Sequence, residues 1–103
     1  MRVLIDDVRS FDSMDETLRT PQEARDFISK HGKEIDTLFI DHDLGSEKDD
    51  GYKILSDMFE NGIFPKTVLM VSANPVGIAN MTRALEYYGY RRGWTPVRYT
   101  RME

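Results

Sequence analysis

Acidic and polar side chains follow each of three short apolar runs in the sequence. The runs span residues 3–5, 37–40 and 67–71. Each has the length of a strand and none alternates apolar with polar residues, which is typical of interior strands in a parallel sheet. Because parallel strands end at the same edge of a sheet, we expect the residues after them to lie together. These residues are Asp6 and Asp7, then Asp41, His42 and Asp43, and finally Ser72 and Asn74.

The acids in this set are hard oxygen ligands, which suit Mg²⁺ or Mn²⁺ held against a substrate phosphate. The pair Asp6-Asp7 follows three apolar residues, and burying part of an unpaired acid is costly, so we favour a functional role for it. Asp43 and Asp50 are also compatible with ordinary turn residues. For His42, a hydrogen-bonded structural role and a role in proton transfer both stay open.

The segment 72–75, Ser-Ala-Asn-Pro, predicts a helix start with Asn74 as the cap and Pro75 at the first position. A helix beginning there directs backbone amides and the positive end of its dipole toward the same edge. We therefore expect metal and helix amides to clamp one phosphate. The helix start itself requires no functional role.

Helical periodicity between the apolar runs predicts helices over residues 21–31, 51–61 and 75–88. Weaker strand patterns cover 16–19 and 97–101. Strands that alternate with helices of this length predict right-handed βαβ units and an open parallel sheet. We expect residues 1–103 to form one α/β domain.

Composition and charge further restrict the classes of protein and of site that the sequence allows. The chain has 103 residues, of which 40% are hydrophobic, and no cysteine, so disulfides, thiolate zinc sites and a cysteine nucleophile are excluded. No apolar run approaches the length of a membrane helix, and the amino terminus does not resemble a signal peptide, so we expect a soluble, cytoplasmic protein without membrane contact. A net charge of −4 argues against wholesale binding of nucleic acid. Arginines nevertheless crowd the last quarter, at positions 83, 91, 92, 98 and 101.

The strand-end residues resemble the receiver domain of two-component signalling. The acidic pair of that family resembles Asp6-Asp7, its phosphate-accepting aspartate resembles Asp41, and its hydroxyl residue resembles Ser72. The resemblance implies a flavodoxin-like sheet of about five strands in the order 2-1-3-4-5.

The strings LIDDVR, IDHDLG and SANP resemble a divergent branch, the cyclic-phosphate processing receivers. This resemblance implies metal-dependent, phosphoesterase-type processing of cyclic phosphates on nucleotide or RNA ends. Asp41 would attack directly, or metal would activate water, with His42 or Asp43 moving protons and Arg91 and Arg92 holding other substrate phosphates. It further implies Mg²⁺ or Mn²⁺ ligation by Asp6, Asp7 and Asp41, in a pocket lined by His42, Asp43, Ser72 and Asn74.

Departures from an ordinary receiver put phosphotransfer signalling in doubt. The stretch between Asp7 and Asp41 is short, so we expect loop 8–15 to replace the first helix. No lysine follows Lys66, so the phosphate-contacting lysine of receivers is missing. Arginine is not a simple replacement for it. The candidates to supply that charge are Arg92, Arg98 and Arg101.

The sequence also leaves no room for a helix after the last strand, so one face of the sheet is expected to lack helices. Such an apolar face is rarely left to water. We favour a homodimer through this face. The competing interpretation is cover by Phe11, Met14 and Leu18 together with Trp94.

Other functions remain open. The main alternative is a receiver-like module that binds a phosphorylated ligand or protein partner without turnover. A phosphoacceptor receiver and a haloacid-dehalogenase-like phosphatase are less favoured. The segment 88–101 interleaves arginines with aromatics, which suits either single-stranded nucleic acid or an edge strand protected by charge, and we favour the edge strand.

Overall fold

A computed structural model describes residues 1–93, 95 and 97–102. Two strands come first, strands and helices then alternate up to the third helix, and two further strands follow. A 3₁₀ turn, Gly32–Glu34, follows the first helix. The elements are β1 Arg2–Ile5, β2 Glu16–Leu18, α1 Pro21–His31, β3 Thr37–Ile40, α2 Gly51–Glu60, β4 Thr67–Met70, α3 Pro75–Tyr87, β5 Tyr90–Arg92 and β6 Arg98–Arg101.

The strands form one sheet in the order β2-β1-β3-β4-β6-β5. Strands β1 to β4 are parallel, whereas β6 is antiparallel to both β4 and β5. This mostly parallel open sheet confirms the predicted α/β class. If β6 is set aside, the remaining order is the expected 2-1-3-4-5.

The far edge of the sheet differs from the expectation in strand number and direction. β5 runs in the direction of β4, as a βαβ crossover requires, but β6 is inserted between them. A tight connection makes this insertion feasible, with the Gly93 amide donating to the Arg98 carbonyl at 2.7 Å. β6 thereby pairs along both sides and buries Tyr99. The short stretch 90–92, with two arginines, carried no strand pattern of its own.

Each helix begins at a side-chain cap, which explains why the predicted bounds agree with the structure to within a residue. Thr20 Oγ1 accepts from the Glu23 amide at 3.1 Å, and Asp50 Oδ1 accepts from the Lys53 amide at 3.0 Å. Asn74 Oδ1 caps α3. After α2 the chain turns at Gly62, whose φ of +74° is poorly tolerated by other residues.

The three helices form one layer, because α2 contacts both α1 and α3. Alternate strand residues, including Val3, Leu38 and Val68, belong to the core beneath this layer. The intervening residues Leu4 and Phe39 point to the other side, which we call the open face. Within residues 1–93, 95 and 97–102, no helix covers the open face. Residues 6–15 form a loop where an ordinary receiver has its first helix, which agrees with the loop predicted for residues 8–15.

This loop covers part of the open face. The Phe11 ring meets the Phe39 ring edge-on, with centroids 5.7 Å apart, and Leu4 is fully buried. Arg2 Nε donates to the Ser13 carbonyl at 3.3 Å, which ties the loop to β1. Leu18, which was also expected to cover this face, instead pairs with Ile5 and belongs to the core on the helix side. Trp94 lies outside the described residues. The homodimer stays a prediction.

Among the described residues, no helix is both long and apolar enough to cross a membrane.

Candidate active site

Asp6 is the most buried acid of the carboxyl edge, with no exposed surface. Its Oδ1 accepts hydrogen bonds from the backbone amides of Val8 and Arg9, both at 2.9 Å, and its Oδ2 accepts from Arg9 Nη1 at 2.9 Å. Burial alone would raise the pKa of Asp6, but these donors outweigh it and hold the pKa below its ordinary value. Asp6 is therefore a carboxylate whose oxygens are already engaged.

Asp41 lies beside it at the end of β3 and is 5% exposed. Arg9 Nη1 also donates to Asp41 Oδ2 at 3.3 Å, so one guanidinium bridges both acids. Burial raises the pKa of Asp41, and the amide of Asp43 and the Ser72 hydroxyl oppose this rise only in part. The two acids differ because the hydrogen bonds to Asp6 are short, at 2.9 Å, whereas those that Asp41 accepts from Arg9 and the Asp43 amide are 3.3 Å long. The negative charge of Asp6 also raises the pKa of Asp41.

The predicted metal ligands do come together. Asp6, Asp7 and Asp41 each place a carboxylate oxygen so that the three lie within 4.8 Å of one another. Asp7 is exposed, so one side of the cluster is open to a substrate. An all-oxygen set of this size suits Mg²⁺ or Mn²⁺. The residues fit a divalent cation provided that the Arg9 guanidinium gives up its contacts.

His42 lies on the opposite side of β3 from Asp41. It packs against Gly77 at the start of α3, where an added Cβ would lie 2.3 Å from the ring carbon Cγ. Its Nδ1 lies 2.9 Å from Asp43 Oδ1 and its Nε2 lies 3.4 Å from Asp50 Oδ2. The imidazole, 14% exposed, is thus held between two carboxylates.

Asp43 connects this histidine to the other strand end. Its Oδ1 also accepts from Asn74 Nδ2 at 3.2 Å, and its side chain is 62% exposed. The hydrogen bonds from His42 and Asn74 lower the pKa of Asp43. At neutral pH Asp43 is therefore ionised and can accept a proton but not donate one, although its lowered pKa makes it a weaker base.

The start of α3 differs from the expectation of free backbone amides. Asn74 Oδ1 accepts from the amides of Val76 and Gly77, both at 3.1 Å. Ser72 Oγ accepts from the Asn74 amide at 3.0 Å. A phosphate would have to displace these side-chain caps, because capping residues satisfy the donors that an anion would use. The amides of Asn74, Val76 and Gly77 are therefore engaged by side chains rather than free, and the phosphate clamp stays a prediction.

The structure does not bring Arg91 and Arg92 to the acids. Both lie on β5, which β4 and β6 separate from β3. Adjacent strands are about 4.8 Å apart, so β5 lies about 14 Å from β3. Arg98 pairs with Leu69, one residue before the end of β4. The guanidinium carbon of Arg101 lies 3.6 Å from the centroid of the Phe64 ring. The positive charge beside the acids, which was expected from Arg92, Arg98 or Arg101, comes instead from Arg9.

Sequence reasoning missed two contributors to this site. Arg9 stands three positions after Asp6 in the loop that replaces a helix, and that spacing was its only sequence signal. Asp50 was compatible with a turn residue, yet it caps α2 through one oxygen and contacts His42 through the other.

Residues 1–87 match the model of a family described as the cyclic-phosphate processing receiver domain. No curated protein matches the chain. The family match ends with α3, so β5 and β6 lie beyond it.

Proposed function

The chain belongs to the family of cyclic-phosphate processing receiver domains, and from this premise we propose that it opens cyclic phosphates on nucleotides or RNA ends with the help of Mg²⁺ or Mn²⁺. The observation that carries the proposal is the set of three carboxylate oxygens within 4.8 Å at the carboxyl edge of the sheet. Asp6, Asp7 and Asp41 would hold the cation. When bound, it would supply positive charge to the phosphate and lower the pKa of a coordinated water.

The chain's own residues would divide the remaining work. In one version an Asp41 oxygen attacks phosphorus, the bond to one ribose oxygen breaks, and the resulting acyl phosphate is hydrolysed by water. In the other version water attacks, Asp43 accepts its proton, and a ribose oxygen leaves and takes up a proton from solvent. His42 holds Asp43 in place in either version, so we assign it a positioning role. Ser72 and Asn74 would contact the phosphate oxygens.

The test is hydrolysis of a nucleoside cyclic phosphate in which phosphorus bridges both ribose hydroxyls. We expect ring opening by the wild type with Mn²⁺, seen by chromatography, and loss of it in Asp41→Ala. Asp12→Asn, in the exposed part of the loop, is the matched control. Intact mass after rapid denaturation separates the two versions, since only direct attack leaves the whole nucleotide joined to Asp41 through its phosphorus. Ring opening that survives in Asp41→Ala would eliminate the nucleophile version.

The second candidate is a module that binds a phosphorylated ligand without turnover. The bridging position of Arg9 favours it, because the guanidinium offsets part of the negative charge of Asp6 and Asp41 without a metal, and guanidinium groups also bind phosphates. Saturable binding of the same cyclic phosphate in EDTA, with no ring opening when Mn²⁺ is restored, would support this candidate over the first.

A further inference from the structure

We propose that the open face of the sheet binds single-stranded nucleic acid. This inference goes beyond the proposed function and requires neither a metal nor a cyclic phosphate. It rests on the side chains that the strand register places on this face and on their charges.

A depression lined by both polar and apolar side chains lies at the middle of the open face. Its cavity has a volume of about 210 Å³ and includes Phe39 and Leu69 from the central strands β3 and β4. Thr37 and Thr67 add hydroxyl groups from the same two strands. Phe39 is only half-buried, although Phe11 touches its edge. A flat base has the shape that such a shallow, partly aromatic surface accepts.

Arginines flank this depression on both sides. Arg2 on β1 and Arg98 on β6 line the same cavity, and the guanidinium of Arg2 lies 5.3 Å from the centroid of the Phe39 ring. The register pairs Arg91 with Thr100 and Thr100 with Thr67, which places Arg91 on the same face. Guanidinium planes stack on bases and also bind phosphates, so aromatic and cationic groups are interleaved as in single-strand platforms.

The strand residues of the open face have a charge opposite to that of the chain, whereas acids lie in the loop beside them, at Asp12 and Asp15, and at the edge, at Asp6, Asp7 and Asp41. The chain carries a net charge of −4. The residues of β1 to β6 that point to the open face nevertheless include three arginines and no carboxylate: Arg2, Leu4, Thr17, Thr37, Phe39, Thr67, Leu69, Arg91, Arg98 and Thr100. Such a local concentration of positive charge selects a polyanion. It disfavours a second copy, because a twofold contact through this face would place arginines against arginines.

The face is continuous with the acid edge. Asp41 follows β3 directly, and its amide donates to the Ile5 carbonyl at 2.9 Å, so the strand pairing continues by one residue. Asp41 therefore points to the same side as Phe39, about 6.6 Å further along the chain. Asp6 follows β1 in the same way, with its amide donating to the Leu18 carbonyl at 3.1 Å. A strand of nucleic acid on the open face can therefore present its end to the acid cluster, of which Asp7 is exposed.

The test is fluorescence anisotropy with a short labelled oligoribonucleotide that ends in a free hydroxyl, measured in EDTA. Because this probe has no cyclic phosphate and EDTA removes divalent metal, its result does not depend on the proposed function. We expect saturable binding that weakens about tenfold in Arg98→Glu and in Phe39→Leu. Arg83→Glu makes the same charge change on an exposed residue of α3, on the other side of the sheet, and should bind like the wild type. Melting midpoints establish that each variant is folded.

Two further arms identify the ligand class. The matching oligodeoxyribonucleotide tests for a sugar preference, and equal binding of both strands supports recognition through bases and phosphates alone. Three results would overturn the proposal: no saturable binding by wild type, equal weakening by Arg83→Glu, or equal affinity for polyglutamate, which has charge but no bases. Sedimentation showing a dimer that Arg98→Glu dissociates would also overturn it, because a second copy would then occupy the face.

Discussion

Nη1 of Arg9 lies 3.3 Å from Oδ2 of Asp41. The same atom contacts Asp6, so a side-chain cation stands between two of the three acids proposed to bind metal. Arginine and a divalent ion therefore compete for the same carboxylate oxygens. The affinity of the site for metal depends on how readily Arg9 leaves it.

Replacing Arg9 with glutamine should tighten metal binding while weakening the metal-free fold. The substitution leaves the fully buried Asp6 without its cationic partner, and because Arg9 is partly exposed we expect a loss of about 1–2 kcal/mol in EDTA. That loss corresponds to roughly 4–16 °C in melting midpoint for a domain of this size. Added Mn²⁺ should recover most of it. Equal rises with Mn²⁺ in wild type and Arg9→Gln would contradict the competition, and Arg83→Gln serves as the control for loss of an arginine.

Asp41→Asn should remove most of the stabilisation by metal. A cation that binds only the folded chain raises the free energy of unfolding, by about 2.7 kcal/mol at a hundred times its dissociation constant. The melting midpoint rises as a result. The amide keeps the shape of the side chain but loses its charge, so the rise with Mg²⁺ or Mn²⁺ should shrink. Thermal unfolding with and without metal measures this, and Asp12→Asn should behave like wild type. If millimolar metal leaves the melting midpoint of the wild type unchanged, the binding module is favoured instead.

Gly77→Ala should displace His42. The new Cβ would lie 2.3 Å from Cγ of the imidazole, closer than packed atoms approach. We expect a cost of about 1–3 kcal/mol from overpacking, even though alanine favours the helix by about 1 kcal/mol. The imidazole resonances of His42 should shift as its contact with Asp43 is lost. Gly93→Ala is the matched control, because its Cβ would meet nothing nearer than 3.4 Å. An unchanged His42 spectrum and midpoint would contradict the close contact.

Arg25→Gln should lower stability at neutral pH and not in acid. Arg25 donates two hydrogen bonds to the Asp49 carboxylate, of 2.9 and 2.6 Å, and a third, of 2.6 Å, to Asp57. The hydrogen bonds from Arg25 lower the pKa of Asp49 below its ordinary value of 3.8. A lowered carboxyl pKa contributes stability above the unfolded pKa, and this contribution is lost as the pH falls through the folded pKa.

In urea unfolding, the free energy of unfolding of the variant should be lower than that of the wild type by about 1 kcal/mol near pH 7. This gap between variant and wild type should close below about pH 4. Lys30→Gln, on the exposed face of α1, should show no gap at either pH. A gap that persists in acid would mean that Arg25 acts by packing its aliphatic stem rather than by charge.

Much of the acid edge was predictable because local rules determine it. The apolar runs identified β1, β3 and β4, and the residues directly after them had to meet where parallel strands end. Caps and prolines set the starts of α1 and α3 to the residue.

Arg9 and the β5–β6 pair were not predictable in the same way. The position of Arg9 depends on how a loop folds back over the edge, which no periodicity encodes. The pairing of β6 with β4 joins residues distant in sequence, and a short strand such as Tyr90–Arg92 has too few residues for a pattern. For the same reason the sequence did not indicate that Arg91 and Arg92, which were expected to hold other substrate phosphates, lie on the outer strand.

The insertion of β6 between β4 and β5 makes the order of synthesis differ from the order of assembly. β5 leaves the ribosome first, at a time when the edge of β4 is still vacant and parallel pairing with it is open. Because β6 occupies that edge in the native sheet, any early pairing of β4 with β5 would have to reopen before folding is complete. We therefore expect the last quarter of the chain to fold more slowly than the sheet that precedes it.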